Sequence, residues 1–265
     1  MRLLSIASGS SGNCIYVGNE DTNILIDTGI SGKRVEAGLN SIGLSGKDMD
    51  AVFITHEHID HISGLAVFSR KWNVPIYASA GTTHGILGTR SVGVIDTELF
   101  EIFHKGEQVQ VGTLMIDPID IPHDAQEPTA YHVTDGKSRV AVATDLGCIT
   151  KGLKEALKGV NALLLEANHD VNMLQVGPYP YYLKQRILGN KGHLSNENCG
   201  KFLAGLLHDD LKAVLLGHLS HENNLPELAY EAVRFEIEAA ENGYKPSDFD
   251  IRVAKRSEPS GLIEV

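Results

Sequence analysis

The segment Thr55-His56-Glu57-His58-Ile59-Asp60-His61 constrains this chain more than any other. It emerges directly from an apolar run, Ala51–Thr55, that reads as a buried strand. Single histidines are ordinarily surface residues or satisfied core residues. His56, His58, Asp60 and His61 clustered where a strand ends are better explained as ligands of a metal ion. In an extended segment residues i and i+2 point to the same side, so His56 and His58 can grip one ion. A turn into a helix at Ser63 would redirect Asp60 and His61 toward a second. Imidazole and carboxylate donors together suit a borderline divalent metal, zinc or manganese.

The same pattern, an apolar run closed by a polar donor, recurs along the chain. Asn23–Ile26 leads to Asp27, Val140–Thr144 to Asp145, and Ala213–Gly217 to His218, while Ala162–Glu166 ends on its own carboxylate. A buried carboxylate at Asp145 would be costly without a cation. His218 is preferred to His221 as a ligand because it stands at the strand's end and His221 lies further into the loop.

These runs also set the architecture. Cys14–Val17 and Asn23–Ile26 flank the turn-forming Gly18-Asn19-Glu20-Asp21 as a hairpin. Gly32–Ile42 and Ile62–Trp72 have helical spacing, the second stopped by Asn73-Val74-Pro75, and Pro75–Ala78 reads as a strand. Three more strands are predicted between Phe100 and Pro122, among them Thr113–Ile121. Tyr131–Thr134 and Val140–Ala143 form another hairpin, Ile149–Gly159, Asn196–His208 and Leu225–Asn242 are helices, and Ile251–Ala254 is a final strand. Strands come in two blocks, each closed by helices. This predicts an α/β protein built as a four-layer αββα sandwich, two sheets face to face with helices outside.

Composition narrows the class. Of 265 residues, 42% are hydrophobic and 22% charged, which suits a soluble globular chain, and the longest apolar runs are too short to cross a bilayer. No membrane association is expected. Met1-Arg2-Leu3-Leu4 meets polar residues too early for a secretory signal. The scattered Cys14, Cys148 and Cys199 argue against a disulfide framework and for a reducing, cytoplasmic setting. A formal net charge of −11 at first speaks against nucleic acid, whose binders usually carry a basic face.

His56-x-His58-x-Asp60-His61 resembles the signature of the metallo-β-lactamase superfamily. Asp27 in Ile24-Leu25-Ile26-Asp27-Thr28-Gly29 matches that superfamily's first motif, His123 in Ile121-Pro122-His123-Asp124 its third, Asp145 its fourth and His218 its last. The resemblance covers nearly the whole chain. It implies that His56, His58 and His123 hold one metal, that Asp60, His61 and His218 hold the other, and that Asp145 is shared. Asp27 and Glu166 would orient these ligands. Two such ions would acidify a water between them and neutralise an anionic transition state, so no nucleophilic side chain is required.

The segments outside the ligands bear on substrate. Gly192-His193-Leu194-Ser195-Asn196 opens a helix, whose N–H groups favour a phosphate, and Lys184, Arg186 and Lys191 precede it. Ser10, Ser11 and Asn13 in the glycine-rich Ser8–Asn13 loop are candidates for a substrate wall. Tyr179, Tyr181 and Tyr182 could stack on a base or pin a loop to the core. Glu166-Ala167-Asn168-His169-Asp170 and Gly217-His218-Leu219-Ser220-His221-Glu222-Asn223-Asn224, taken with the two segments above, resemble the YycJ/WalJ group of bacterial exonucleases. The chain would then be one metallo-β-lactamase domain over residues 1–265. The short spacings His123 to Asp145 and Asp145 to Glu166 leave no room for a transfer-RNA-clamping arm or a β-CASP insertion. The resemblance implies a 5′ to 3′ exonuclease acting on duplex DNA at ends or nicks, with a role in DNA repair. Asp60 and His193 would be catalytic, His193 by analogy with ribonuclease Z. The competing readings are a thioesterase or lactonase of glyoxalase II type and a non-catalytic metal-binding regulator. The acidic sum does not exclude DNA, because a phosphate meets the metal pair and the local cations.

Overall fold

The computed structural model describes residues 1–265. Fourteen strands form two seven-stranded sheets. The first holds β1 (Arg2–Ala7), β2 (Cys14–Gly18), β3 (Asn23–Ile26), β4 (Ala51–Phe53), β5 (Ile76–Ser79) and β6 (Phe100–Phe103). The second holds β7 (Val109–Val111), β8 (Leu114–Asp120), β9 (Thr129–Thr134), β10 (Arg139–Ala143), β11 (Ala162–Glu166), β12 (Ala213–Gly217) and β13 (Asp250–Val253). The last strand, β14 (Ile263–Glu264), returns to the first sheet beside β1.

Both sheets are built alike. In each, antiparallel strands (β1–β2–β3 and β7–β8–β9–β10) pass into parallel ones (β3–β4–β5–β6 and β10–β11–β12–β13). The parallel connections carry the helices, which cover the outer faces. Side-chain alternation makes the layers. Along β11, Ala162 and Leu164 face the core between the sheets, and Leu163 and Leu165 face the helices. Along β3, Ile24 and Ile26 point inward and Leu25 outward. Phe53 of β4 meets Tyr131 of β9 edge to face at 5.4 Å, and the Tyr131 hydroxyl donates to the Ile54 carbonyl at 2.6 Å. That bond ties one sheet to the other next to the His-rich loop. The fold is the αββα sandwich of the metallo-β-lactamase type.

Differences from the sequence reading have local causes. The helix expected over Ile62–Trp72 is split into Ile59–Ile62 and Leu65–Trp72. At the break, Gly64 N donates to Thr28 O at 2.8 Å, and a Cβ at Gly64 would lie 1.9 Å from the Ile30 carbonyl oxygen. The helical turn therefore starts at Ile59 with His58 as its N-cap, not at Ser63. Helices Ala80–Gly88, Val171–Val176 and Tyr181–Leu188 carry weak sequence signals and were not expected. No helix is long and apolar enough to cross a membrane, and the three cysteines are free thiols.

Candidate metal centre

The site lies where the C-terminal ends of parallel strands from both sheets converge. Asp27 follows β3, the His-rich loop follows β4, Asp145 follows β10, Glu166 ends β11 and His218 follows β12. Asp27, Asp145 and His218 have positive φ, at 62°, 60° and 55°. Among residues with a Cβ, Asp and His are relatively tolerant of this left-handed conformation. The residue types that bind metals thus also make the turn that aims them across the strand ends. Gly29 lets the Asp27 turn pack tightly on the His-rich loop, since a Cβ there would sit 1.7 Å from the Asp60 carbonyl oxygen.

Two sets of donors face each other. His56, His58 and His123 form the first, with His123 Nε2 3.3 Å from His58 Nδ1. Asp60, His61 and His218 form the second, where Asp60 Oδ2 is 3.5 Å from His61 Nε2 and 3.4 Å from His218 Nε2. Asp145 stands between them, its Oδ1 3.7 Å from His123 Nε2 and its Oδ2 3.4 Å from His61 Nε2. Two buried atoms at this junction, His56 Nε2 and Asp145 Oδ2, have no hydrogen-bond partner. A carboxylate oxygen left so would be costly, and a divalent cation among these donors removes the cost. The residues present fit a divalent metal.

The surrounding side chains fix which nitrogen each histidine offers. His61 donates from Nδ1 to Asp27 Oδ2 at 2.7 Å, and Asp27 is itself held by the Thr55 backbone N–H and hydroxyl. His123 donates from Nδ1 to the Gly192 carbonyl at 3.1 Å. Glu166 is the hub of the other side. Its Oε1 accepts from Nδ1 of both His193 (2.8 Å) and His218 (2.9 Å), and its Oε2 accepts from the Leu146 and Leu194 backbone N–H groups. Its oxygens accept from these four N–H groups, and it also lies within ligand distance of Asp145, His193 and His218. Burial opposes its ionisation, but His193 and His218 outweigh this and hold its carboxyl below the usual range. Burial also opposes charge on Asp60, and His61 and His218 reverse that. For His218, burial disfavours protonation, yet Asp145, Asp60 and Glu166 lift it to about 10. His56 is pushed well below its usual value by burial and by His61, His123 and His58, so it stays neutral.

The remaining candidates are placed differently. His193 sits beside the donor sets, its Nδ1 3.6 Å from Asp145 Oδ1, with part of its ring exposed. Ser10 and Ser11 are exposed on their loop. Asn13, expected on a substrate wall, is buried: its amide lies 3.1 Å from His61 Nε2 and bonds to Gly9 and Asp60 carbonyls. It braces the metal loop and presents nothing to solvent. Lys184, expected to meet substrate, turns its amine to the Gln175 carbonyl, Arg186 pairs with Asp124 beside His123, and Lys191 is exposed. The start of helix Asn196–Ala204 is also largely committed, with Leu194 N bonded to Glu166, Asn196 N to His169 O and Asn198 N to Ser195 Oγ. Internal acceptors have taken the N–H groups expected to hold a phosphate. Tyr181 and Tyr182 are three-quarters exposed, so they do not pin a loop to the core. Thr55 and Asp124, which sequence reasoning did not single out, adjoin the candidate donors His56 and His123 in the chain.

The metallo-β-lactamase superfamily model matches residues 7–177, and the chain belongs to that superfamily of metal-dependent hydrolases. It is 39% identical over 228 residues to exodeoxyribonuclease YycJ of Bacillus anthracis, covering 86% of each chain. It is 36% identical over 238 residues to exodeoxyribonuclease WalJ of Streptococcus pneumoniae serotype 2 (strain D39), covering 90% of this chain and 88% of that one. Among solved structures, Zn2+-bound PqqB from Methylobacterium extorquens superposes with a TM-score of 0.72 over the whole of both chains at 17% identity, a likeness of fold.

Proposed function

We propose that this protein is a dinuclear metal phosphodiesterase that degrades duplex DNA from 5′ ends or nicks in the cytoplasm, as a single metallo-β-lactamase domain without β-CASP insertion or transfer-RNA arm. The observation that carries it is His193, a partly exposed imidazole held by Glu166 within 3.6 Å of Asp145. It is an additional imidazole beside the two donor sets, and in this reading it is the group that meets the leaving oxygen. The two relatives named exodeoxyribonucleases, similar over most of their length, support the same reading.

In this reading His56, His58 and His123 would hold one ion, Asp60, His61 and His218 the other, and Asp145 both. Zinc or manganese fits the donor set. When bound, the ions lower the pKa of water and offset negative charge on the reacting phosphate. The protein's own residues do the rest. Asp27, Thr55 and Asn13 keep His61 and Asp60 in place, so the donors need no rearrangement at the moment of reaction. Glu166 accepts from His193 Nδ1 and so fixes the ring that would pass a proton to the leaving 3′-oxygen. Water adds to phosphorus, the P–O3′ bond breaks, and the new 5′-phosphate stays with the remaining strand.

The test is incubation of metal-loaded protein with 5′-labelled duplex and single-stranded DNA, alongside His193→Ala. Mononucleotide release that a chelator abolishes, and that His193→Ala lowers about 100-fold, is the expected result. Turnover of hydroxyacyl thioesters with no DNA cleavage under any divalent ion would overturn it in favour of a thioesterase. An unchanged cellular phenotype of Asp60→Ala would favour a regulator.

A further inference from the structure

His193 borders two spaces. Its Nδ1 meets Glu166 at the metal centre, and its ring also lines a separate cavity of about 490 Å³. Gly147, two residues beyond Asp145 in the chain, lines the same cavity, so the cavity adjoins the His193 side of the metal centre. Ile149, Val171, Leu188 and Phe202 give it hydrocarbon walls, and Asn198 and His169 give it polar edges. His169 is 1% exposed and its Nε2 has no hydrogen-bond partner. It belongs to neither donor set, and the hydrolytic chemistry above does not use it. A buried imidazole nitrogen without a protein partner takes one from a water or from a bound molecule.

We propose that this cavity is a nucleoside subsite, which receives the terminal nucleotide while its 3′-phosphodiester lies at the metal centre. The inference rests on the nuclease reading and adds where the departing residue goes. Cleavage of the P–O3′ bond makes that nucleoside the leaving group, and His193, the residue assigned above to its 3′-oxygen, forms part of the cavity wall. The volume falls in the range of small-molecule clefts. It suits one nucleoside and not a base pair with two backbones, so the end must unpair by one nucleotide to enter. The apolar side chains among its mixed lining can meet the face of any base, which suits an activity indifferent to sequence.

Titration calorimetry of the full chain with dAMP, thymidine 5′-monophosphate and deoxyribose 5-phosphate tests it. Both nucleotides should bind about tenfold more tightly than the base-free sugar phosphate, the factor that one base contact supplies. Asn198→Trp fills the cavity from an exposed helix position and should remove that advantage while the Kd for inorganic phosphate is unchanged. Leu188→Ala, also at an exposed position, should reduce it severalfold, and thermal melts of both variants identify any that misfold. Equal affinity of wild-type protein for nucleotide and sugar phosphate overturns the subsite, as does a folded Asn198→Trp that keeps the preference. Base-dependent binding without DNA cleavage overturns the nuclease reading and leaves the subsite. Cleavage without base-dependent binding overturns the subsite alone.

Discussion

The Nδ1 of His193 lies 2.8 Å from Oε1 of Glu166, a carboxylate with no exposed surface. Glu166→Gln keeps the volume but removes the carboxylate charge that faces His193 Nδ1. The side-chain amide also cannot accept from His193, His218, Leu146 and Leu194 together. The expected loss is about 100-fold in kcat on DNA and about 10- to 100-fold in metal affinity through His218. Steady-state kinetics at saturating metal separate the two; unchanged kcat there would refute the role assigned to His193.

Asp27 acts through His61 and Thr55. Asp27→Asn tolerates the left-handed turn but offers one oxygen where the carboxylate offers two. Metal affinity should fall about 10- to 100-fold with the fold retained, read by competition with a chromogenic chelator.

Asp145 Oδ2 is buried and without a partner. Metal added to chelator-treated protein at about 100 times its Kd should contribute about 2.7 kcal/mol of stability, a rise in Tm of about 5–10 °C. Asp145→Asn should fold and lose most of that rise. A rise equal to wild type would exclude Asp145 as a shared ligand.

Without metal, stability should peak in mildly acidic solution. The depressed carboxyls of Asp60 and Glu166 contribute stability that is present above the unfolded values near 4 and lost as pH falls below them. His218, raised to about 10, contributes stability fully present below its ordinary 6.5 and lost as pH rises toward 10. Buried neutral His56 adds a loss below its ordinary 6.5, so melts of chelated protein should show Tm falling on both sides of about pH 6–7. A Tm that climbs steadily from pH 6 to 9 would contradict this charge arrangement.

Arg186 Nη2 donates to Asp124 Oδ1 at 3.0 Å beside His123, so its charge is partly spent. Asp124→Asn should release it and lower KM for duplex DNA by about threefold, a change on the scale of an exposed ion pair. Arg186→Ala should raise KM and reduce the slope of log affinity against log salt by about 0.9. An unchanged slope would place Arg186 away from the DNA backbone.

The layered fold and the clustering of the candidate donors were legible because each central strand is an apolar run ending in or next to Asp, Glu or His. Elements supported mainly from outside were not. Ala80–Gly88 contains three glycines and two threonines and owes its start to the Ser79 cap and to the Glu127 carboxylate, which accepts from Gly81 N. Tyr181–Leu188 follows Pro-Tyr-Pro, which reads as loop. The substrate-facing residues were harder still. Asn13 meets Asp60 and His61 only after the sheet closes, and Arg186 meets Asp124 across the site. Such pairings leave no trace in local pattern.

The left-handed turns at Asp27, Asp145 and His218 have a consequence for how the molecule loosens. Each stores about 1–3 kcal/mol that the surrounding contacts must hold, and all three lie at one end of the sandwich. The two-sheet core carries no such load. Removing the cation removes a main restraint on that end, so hydrogen exchange should quicken first at Thr28, Leu146 and Leu219 while the strand interiors stay protected. The protein would then breathe at its catalytic face alone, a rigid frame with one soft rim.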